Sequence, residues 1–148
     1  MMTKTAVNRI FLIVWITIGL LSCGERQEIP DSFPPTTINF DPSIDVFEGR
    51  PGEVLELQLN IEGPLGFNHL FLRKTVAGGE AEITALKEMQ EEHYDTPFSM
   101  DFSYTLKEQE VGQEIKLTFM VGTAVKIPNG ETGHTFVQRS IEITTKAE

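Results

Sequence analysis

Histidine, cysteine and clustered carboxylates are the side chains best able to hold a metal or move a proton near neutral pH, and this 148-residue chain uses them sparingly. Its three histidines, His69, His93 and His134, are far apart in sequence, and Cys23 is its single cysteine. HExxH, GxSxG, CxxC and the Walker glycine loop are all absent. An activated nucleophile needs a base held within hydrogen-bond reach and a third group to orient that base. No spacing here supplies the set, so a non-catalytic protein is expected, with no catalytic residue, no metal and no cofactor assigned. His69 falls on an expected strand face and His134 in an expected hairpin loop, where each should be solvated or locally bonded.

The densest run of ionisable groups is Glu88-Met89-Gln90-Glu91-Glu92-His93-Tyr94-Asp95. A calcium ion collects six to eight oxygens, usually from carboxylates at every second residue of a glycine-bearing loop. That spacing is missing, and consecutive helical residues point apart, so a solvated helix face is the expectation. A carbohydrate platform would need exposed aromatic rings. The chain's one tryptophan, Trp15, lies in the apolar leader, and Tyr104 alternates with core residues. Tyr94, Phe67 and Phe71 remain as exposed candidates, and Phe71 and Arg73 share a strand face with His69. The ligand-binding residues themselves are not identifiable at this stage.

The stretches that must position these groups begin with a leader. Lys4 and Arg9 precede Ile10–Leu21, twelve uninterrupted apolar residues. At about 1.5 Å per helical residue they span roughly 18 Å, short of a bilayer core of about 30 Å, so the run is a signal-peptide core and not a membrane span. It ends in Leu20-Leu21-Ser22-Cys23, which resembles the lipobox of bacterial prolipoproteins. The resemblance implies that the Cys23 thiol takes a diacylglycerol, that the chain is cut before it, and that the new amine is acylated. Two or more acyl chains anchor a protein stably where one does not. Gly24 stands where the best-known sorting rule places an inner-membrane aspartate, so the resemblance implies a lipid-anchored protein of the outer membrane of a Gram-negative bacterium. Glu25 and Glu28 are loosely similar to the acidic export signals of Bacteroidetes-type surface lipoproteins.

Composition narrows the partners. The formal charge is −10, and the leader holds two cations and no acid, which puts the remaining 126 residues at −12. With no basic patch, nucleic acid is excluded as a partner, and any hold on an anionic membrane must come from lipid. With Cys23 acylated, the folded domain has no disulfide and depends on its core. The expected division is 1–22 signal peptide, 23–42 lipidated cysteine and flexible tether, and 43–148 folded domain.

From Ser43 the apolar residues alternate. A first strand is expected over Ser43–Phe47, then Leu55, Leu57, Leu59 and Ile61 against Glu56, Gln58, Asn60 and Glu62, the pattern of a half-buried antiparallel strand. Phe67–Val76 follows. Ile83, Leu86 and Met89 recur at helical spacing, which predicts a short helix over Ile83–Glu92 ahead of Pro97. Phe98–Leu106, Ile115–Val121 and Thr135–Thr145 complete a set of about seven strands, the last pair joined by a loop at Pro128-Asn129-Gly130. The predicted fold is an all-β, immunoglobulin-like antiparallel β-sandwich with one short helix between strands. The segment PFSMDFSYTLKEQEVGQEIKLTFMV resembles strand E, the E–F corner and strand F of bacterial immunoglobulin-like or PKD-like domains. Arg139 falls in register with Val137, Ile141 and Ile143, so it should point inward. An open end of the sandwich, a bulge or an acid partner would relieve the cost of burying it, and a bulge or an open end is the expectation.

These features predict a lipid-anchored binding module whose partner is another envelope protein or a glycan, or else a structural spacer in an outer-membrane assembly. Replacing Cys23 with Ser should abolish palmitate incorporation and leave the leader uncut. A Cys23→Ser protein still processed and palmitate-labelled would place the anchor elsewhere.

Overall fold

The computed structural model describes residues 36–126 and 130–147. The leader, Cys23, most of the expected tether, and Pro128 and Asn129 lie outside the described residues. Eight strands form, β1 (Thr37–Asp41), β2 (Val46–Gly49), β3 (Val54–Glu62), β4 (His69–Val76), β5 (Glu82–Lys87), β6 (Phe98–Thr105), β7 (Glu114–Lys126) and β8 (Thr132–Thr145), with a 3-10 turn at Glu108–Glu110. They make two sheets, β1-β3-β6 and β2-β8-β7-β4-β5. All ladders are antiparallel except β2 against β8. This is the predicted immunoglobulin-like β-sandwich: the parallel β2 lies beside the last strand of one sheet, while β1, just before it in sequence, belongs to the other.

Period-two patterning builds the core. Leu55, Leu57, Leu59 and Ile61 of β3 turn inward, as do Ile115, Leu117, Phe119 and Val121 of β7 and Ile141 and Ile143 of β8, all of them buried. The Phe119 ring is fully buried between Phe40 of β1, at 5.3 Å, and Phe102 of β6, at 5.0 Å, both edge-on. One side chain of the five-stranded sheet is thereby gripped by both edges of the other.

Two expectations are corrected, and of the alternatives for Arg139 the bulge falls away. The helix over Ile83–Glu92 does not form: Glu82–Lys87 is a strand at the edge of β4, and 88–93 is irregular. A helix would leave the backbone groups of β4 unpaired on that side, and Ile83 is 62% exposed, so no apolar stripe is there to bury. Pairing with β4 satisfies more than local helix propensity could. Folded structure also begins before residue 43, because Thr37–Asp41, placed in the tether by its prolines and polarity, pairs along β3 and buries Ile38 and Phe40. Finally, β7 and β8 pair without a register shift from Glu114↔Thr144 to Lys126↔Thr132. No bulge turns Arg139 away. It sits at the open side between the sheets, its guanidinium 4.5 Å from the Phe40 ring centre, donating to the Ile38 carbonyl at 3.4 Å, Ser43 Oγ at 3.3 Å and Asp45 Oδ1 at 3.2 Å.

A second inward cation, Lys74, is mostly buried, its side chain 14% exposed. Its Nζ lies 2.5 Å from Glu110 Oε1, which also accepts the Tyr104 hydroxyl at 2.6 Å, while Glu110 Oε2 accepts the Lys107 amide at 3.0 Å. Burial alone would raise the Glu110 carboxyl, but the donors from Lys74, Tyr104 and the Lys107 backbone outweigh it and hold the group below its ordinary range. Burial would likewise lower Lys74, and its bonds to Glu110 and Tyr104 reverse that and raise it. Burial first, and then Glu110, raises the Tyr104 hydroxyl.

Removing one partner of a buried pair strands the other charge, at a cost of about 3–5 kcal/mol. Glu110→Gln should therefore lower unfolding free energy by about 3 kcal/mol in denaturant titration at pH 7. A carboxyl with a depressed folded value contributes stability above the unfolded carboxylate value, about 4.3, and loses it as pH falls through the folded one. The gap between wild type and Glu110→Gln should thus be full at neutral pH and shrink in acid. A pH-independent gap would refute the assignment.

Candidate functional site

All three histidines come to the same end of the five-stranded sheet, the end opposite the Lys74–Glu110 pair. Strand register does this: His69 pairs with Gly122 in β7, Gly122 with Phe136 in β8, and Ala124 with His134. His93 arrives from the segment after β5, its Nε2 2.8 Å from the Ala124 carbonyl. Residues 68–69, 89–93, Ala124, Thr132 and His134 enclose a groove of about 730 Å³. Its continuation over the sheet, about 390 Å³, is lined by His69, Phe71, Met89, Met120, His134 and Phe136.

Asn68 shapes the groove. It is buried, its side-chain amide donates to the Gln90 carbonyl at 3.1 Å, its Oδ1 accepts the Ala124 amide at 2.5 Å, and its own carbonyl accepts the Gln90 amide at 3.1 Å. One asparagine thus ties the 88–93 segment to the end of β7. A further bridge holds the segment down, with Phe67 and Tyr94 exchanging backbone bonds of 3.2 and 2.7 Å and stacking at 5.0 Å. Gly66 allows the approach: its φ is +67°, and a side chain there would strike the Tyr94 carbonyl at 2.3 Å.

His69 is 3% exposed, contrary to the expectation of a solvated or locally bonded ring, and its Nδ1 is buried with no hydrogen-bond partner. Its ring lies flat enough over Gly122 that a Cβ there would come within 2.0 Å of Cε1 and Nε2. Phe71 and Phe136 flank it at 4.9 and 5.6 Å between ring centres. Burial first, and then the neighbouring His134, push the His69 imidazole below its ordinary value of 6.5.

The remaining expectations divide. His134 lies within β8 and not in a loop, and it is exposed and stacked on Phe136 at 6.4 Å. Glu88, Glu91, Glu92 and Asp95 are exposed on an irregular segment in place of the expected helix, and no group of three or more His, Cys, Asp or Glu is placed to hold a metal among the described residues. Phe67, expected to be exposed, is fully buried, and Tyr94 is half-buried against it. Phe71 does lie on the outer face with Arg73. Phe136 and Met89, at 69% and 62% exposure, carry the site's open side; in the sequence Met89 stands out only as part of an expected helix, and Phe136 not at all. The available signal was His134 and Phe136 alternating on one strand face, with a glycine interrupting the strand opposite.

No protein-family model matches the chain, and no curated protein matches it. Among solved structures it is similar in fold to the CARDB domain of a Pyrococcus furiosus protein, solved in complex with di-metal ions, with 14% identity and a TM-score of 0.37 over 77% of this chain and 96% of that one.

A methyl group at Gly122 must displace His69. Gly122→Ala should cost about 1–3 kcal/mol by overpacking and move the His69 titration, followed by NMR, back toward 6.5. Because a buried neutral histidine must charge in acid, the native domain should lose stability as pH falls through about 6.5, and Gly122→Ala should lose less of it. An unmoved His69 titration would contradict the geometry.

Proposed function

We propose that the chain is a lipid-anchored, non-catalytic protein of the bacterial outer membrane. Its β-sandwich docks another envelope or surface protein against the outer face of the five-stranded sheet. The observation that supports docking most directly is the exposed apolar strip on that face. Phe136 is 69% exposed, Met89 62% and Ile83 62%, and strand register places Phe71, Met120 and Ala85 among them. Contiguous exposed apolar surface of this kind is uncommon on proteins that work alone, and it marks contact sites. The anchor rests on the leader and Cys23, and the non-catalytic reading on the scarcity of nucleophile and base pairs.

The rim supports a protein partner over a glycan. Sugars stack on broad aromatic platforms, whereas here two phenylalanines are interspersed with methionines, whose flexible thioethers adapt to protein surfaces. A photo-crosslinking residue at Phe136 in intact cells should attach to one recurrent envelope protein, while the same residue at Ser103, on the exposed side of β6, should not. Labelling spread over unrelated proteins from both positions would overturn the docking reading.

A further inference from the structure

We infer that the floor of this face is a binding site for a soft monovalent metal ion, Cu(I) in chemical class, with His69, His134, Met89 and Met120 as its ligands. The cavity of about 390 Å³ over the sheet has six lining residues: those four and two phenylalanines, Phe71 and Phe136. Its donors are two imidazoles and two thioethers, and no lining side chain contributes an oxygen. Carboxylate and carbonyl oxygens are what calcium, magnesium and manganese require, whereas thioether with imidazole suits Cu(I). This donor set lies outside the clusters of His, Cys, Asp and Glu that hold most divalent ions.

Three observations mark the four as more than a chance apolar patch. The buried His69 Nδ1 has no partner. Leaving such an atom unmade costs about 1–3 kcal/mol, so the fold holds this imidazole at the cavity wall at a cost. Met89 is 62% exposed, so it fills no gap in a core, the ordinary use of methionine. And the placement is selective. The chain has five methionines, of which 89, 100 and 120 are described, and two of these three line this cavity while Met100 packs against the core.

The supply of ligands fits an ion that enters and leaves. His69 is fixed, its ring laid on Gly122 between Phe71 and Phe136. His134 stands at the exposed start of β8, and Met89 rides on the 88–93 segment that Asn68 tethers at Gln90. The two phenylalanine rings complete the lining. Exposed Glu91 and Glu92 border the adjoining groove, where their charge would attract cations toward the floor.

The test uses the full chain in detergent with Cys23→Ser, which removes the one thiol that would otherwise take the ion. Ag(I), a redox-inert probe of the same class, is titrated in while methionine methyl and histidine ring signals are followed by NMR. One equivalent should shift Met89, Met120, His69 and His134 and leave Met100 unmoved. Met89→Leu with Met120→Leu conserves volume and should weaken binding at least tenfold with an unchanged melting temperature. His134→Gln, at an exposed position, should weaken it as well. The inference is overturned if affinity is undiminished in these variants, if shifts appear at Met1, Met2, Met100 or His93 instead, or if Zn(II) binds more tightly than Ag(I). Each result is independent of whether Phe136 crosslinks to a partner.

Discussion

The Phe119 ring is the contact on which the two sheets depend. A sandwich of this kind must fasten its halves face to face, and this chain has no cysteine pair with which to do so. The central strand of the larger sheet instead sends one aromatic ring between Phe40 and Phe102. Each edge-on pair adds about 0.5–1.5 kcal/mol beyond the area it buries. More important is where the partners lie: β1 and β6 are the two edges of the smaller sheet, so a single residue fixes that sheet's position in both directions. The leucines of β3 then fill the space between, and none of them has a comparable geometric preference.

That arrangement dictates where inward polar groups can be tolerated. Lys74 and Arg139 both occupy core-facing positions, Lys74 toward one end of the sheet and Arg139 directly across from Phe119 in the β7–β8 register. At one end Lys74 is held by Glu110, which also accepts the Tyr104 hydroxyl and the Lys107 amide. On the open side Arg139 covers the Phe40 ring and reaches Asp45 at the rim. The first is a buried pair and the second a lid over the aromatic contact. Among the described residues, the outer face of the larger sheet is where histidine, methionine and exposed aromatic side chains gather.

Much of the sandwich was legible because its strands alternate. The β3 run Leu55, Leu57, Leu59 and Ile61 admits no other reading, and β7 is nearly as plain. What misled was local. Glu82–Lys87 holds good helix formers, and only the presence of β4 beside it makes a strand the better use of its backbone. Thr37–Asp41 looked like tether because its neighbours are prolines, although Ile38 and Phe40 already show the alternation. The site was less legible still. Its histidines are distant in sequence and meet through two strand registers, His69↔Gly122 and Ala124↔His134, which no local pattern encodes. Gly122 was the one available clue, since a glycine inside an otherwise β-branched and aromatic strand signals that something lies close above it.

The charge distribution bears on what this face can receive. The chain is strongly acidic, at −10, yet the six side chains that line the cavity over the sheet include no carboxylate. Exposed Glu91 and Glu92 stand at the border of the adjoining groove instead. These carboxylates lie to one side of the neutral floor, where their charge repels anionic groups and attracts cations. The proposed ion and the proposed protein partner would not compete for this face, since the one would sit beside His69 on the floor and the other would meet Phe136 and Ile83 at its rim.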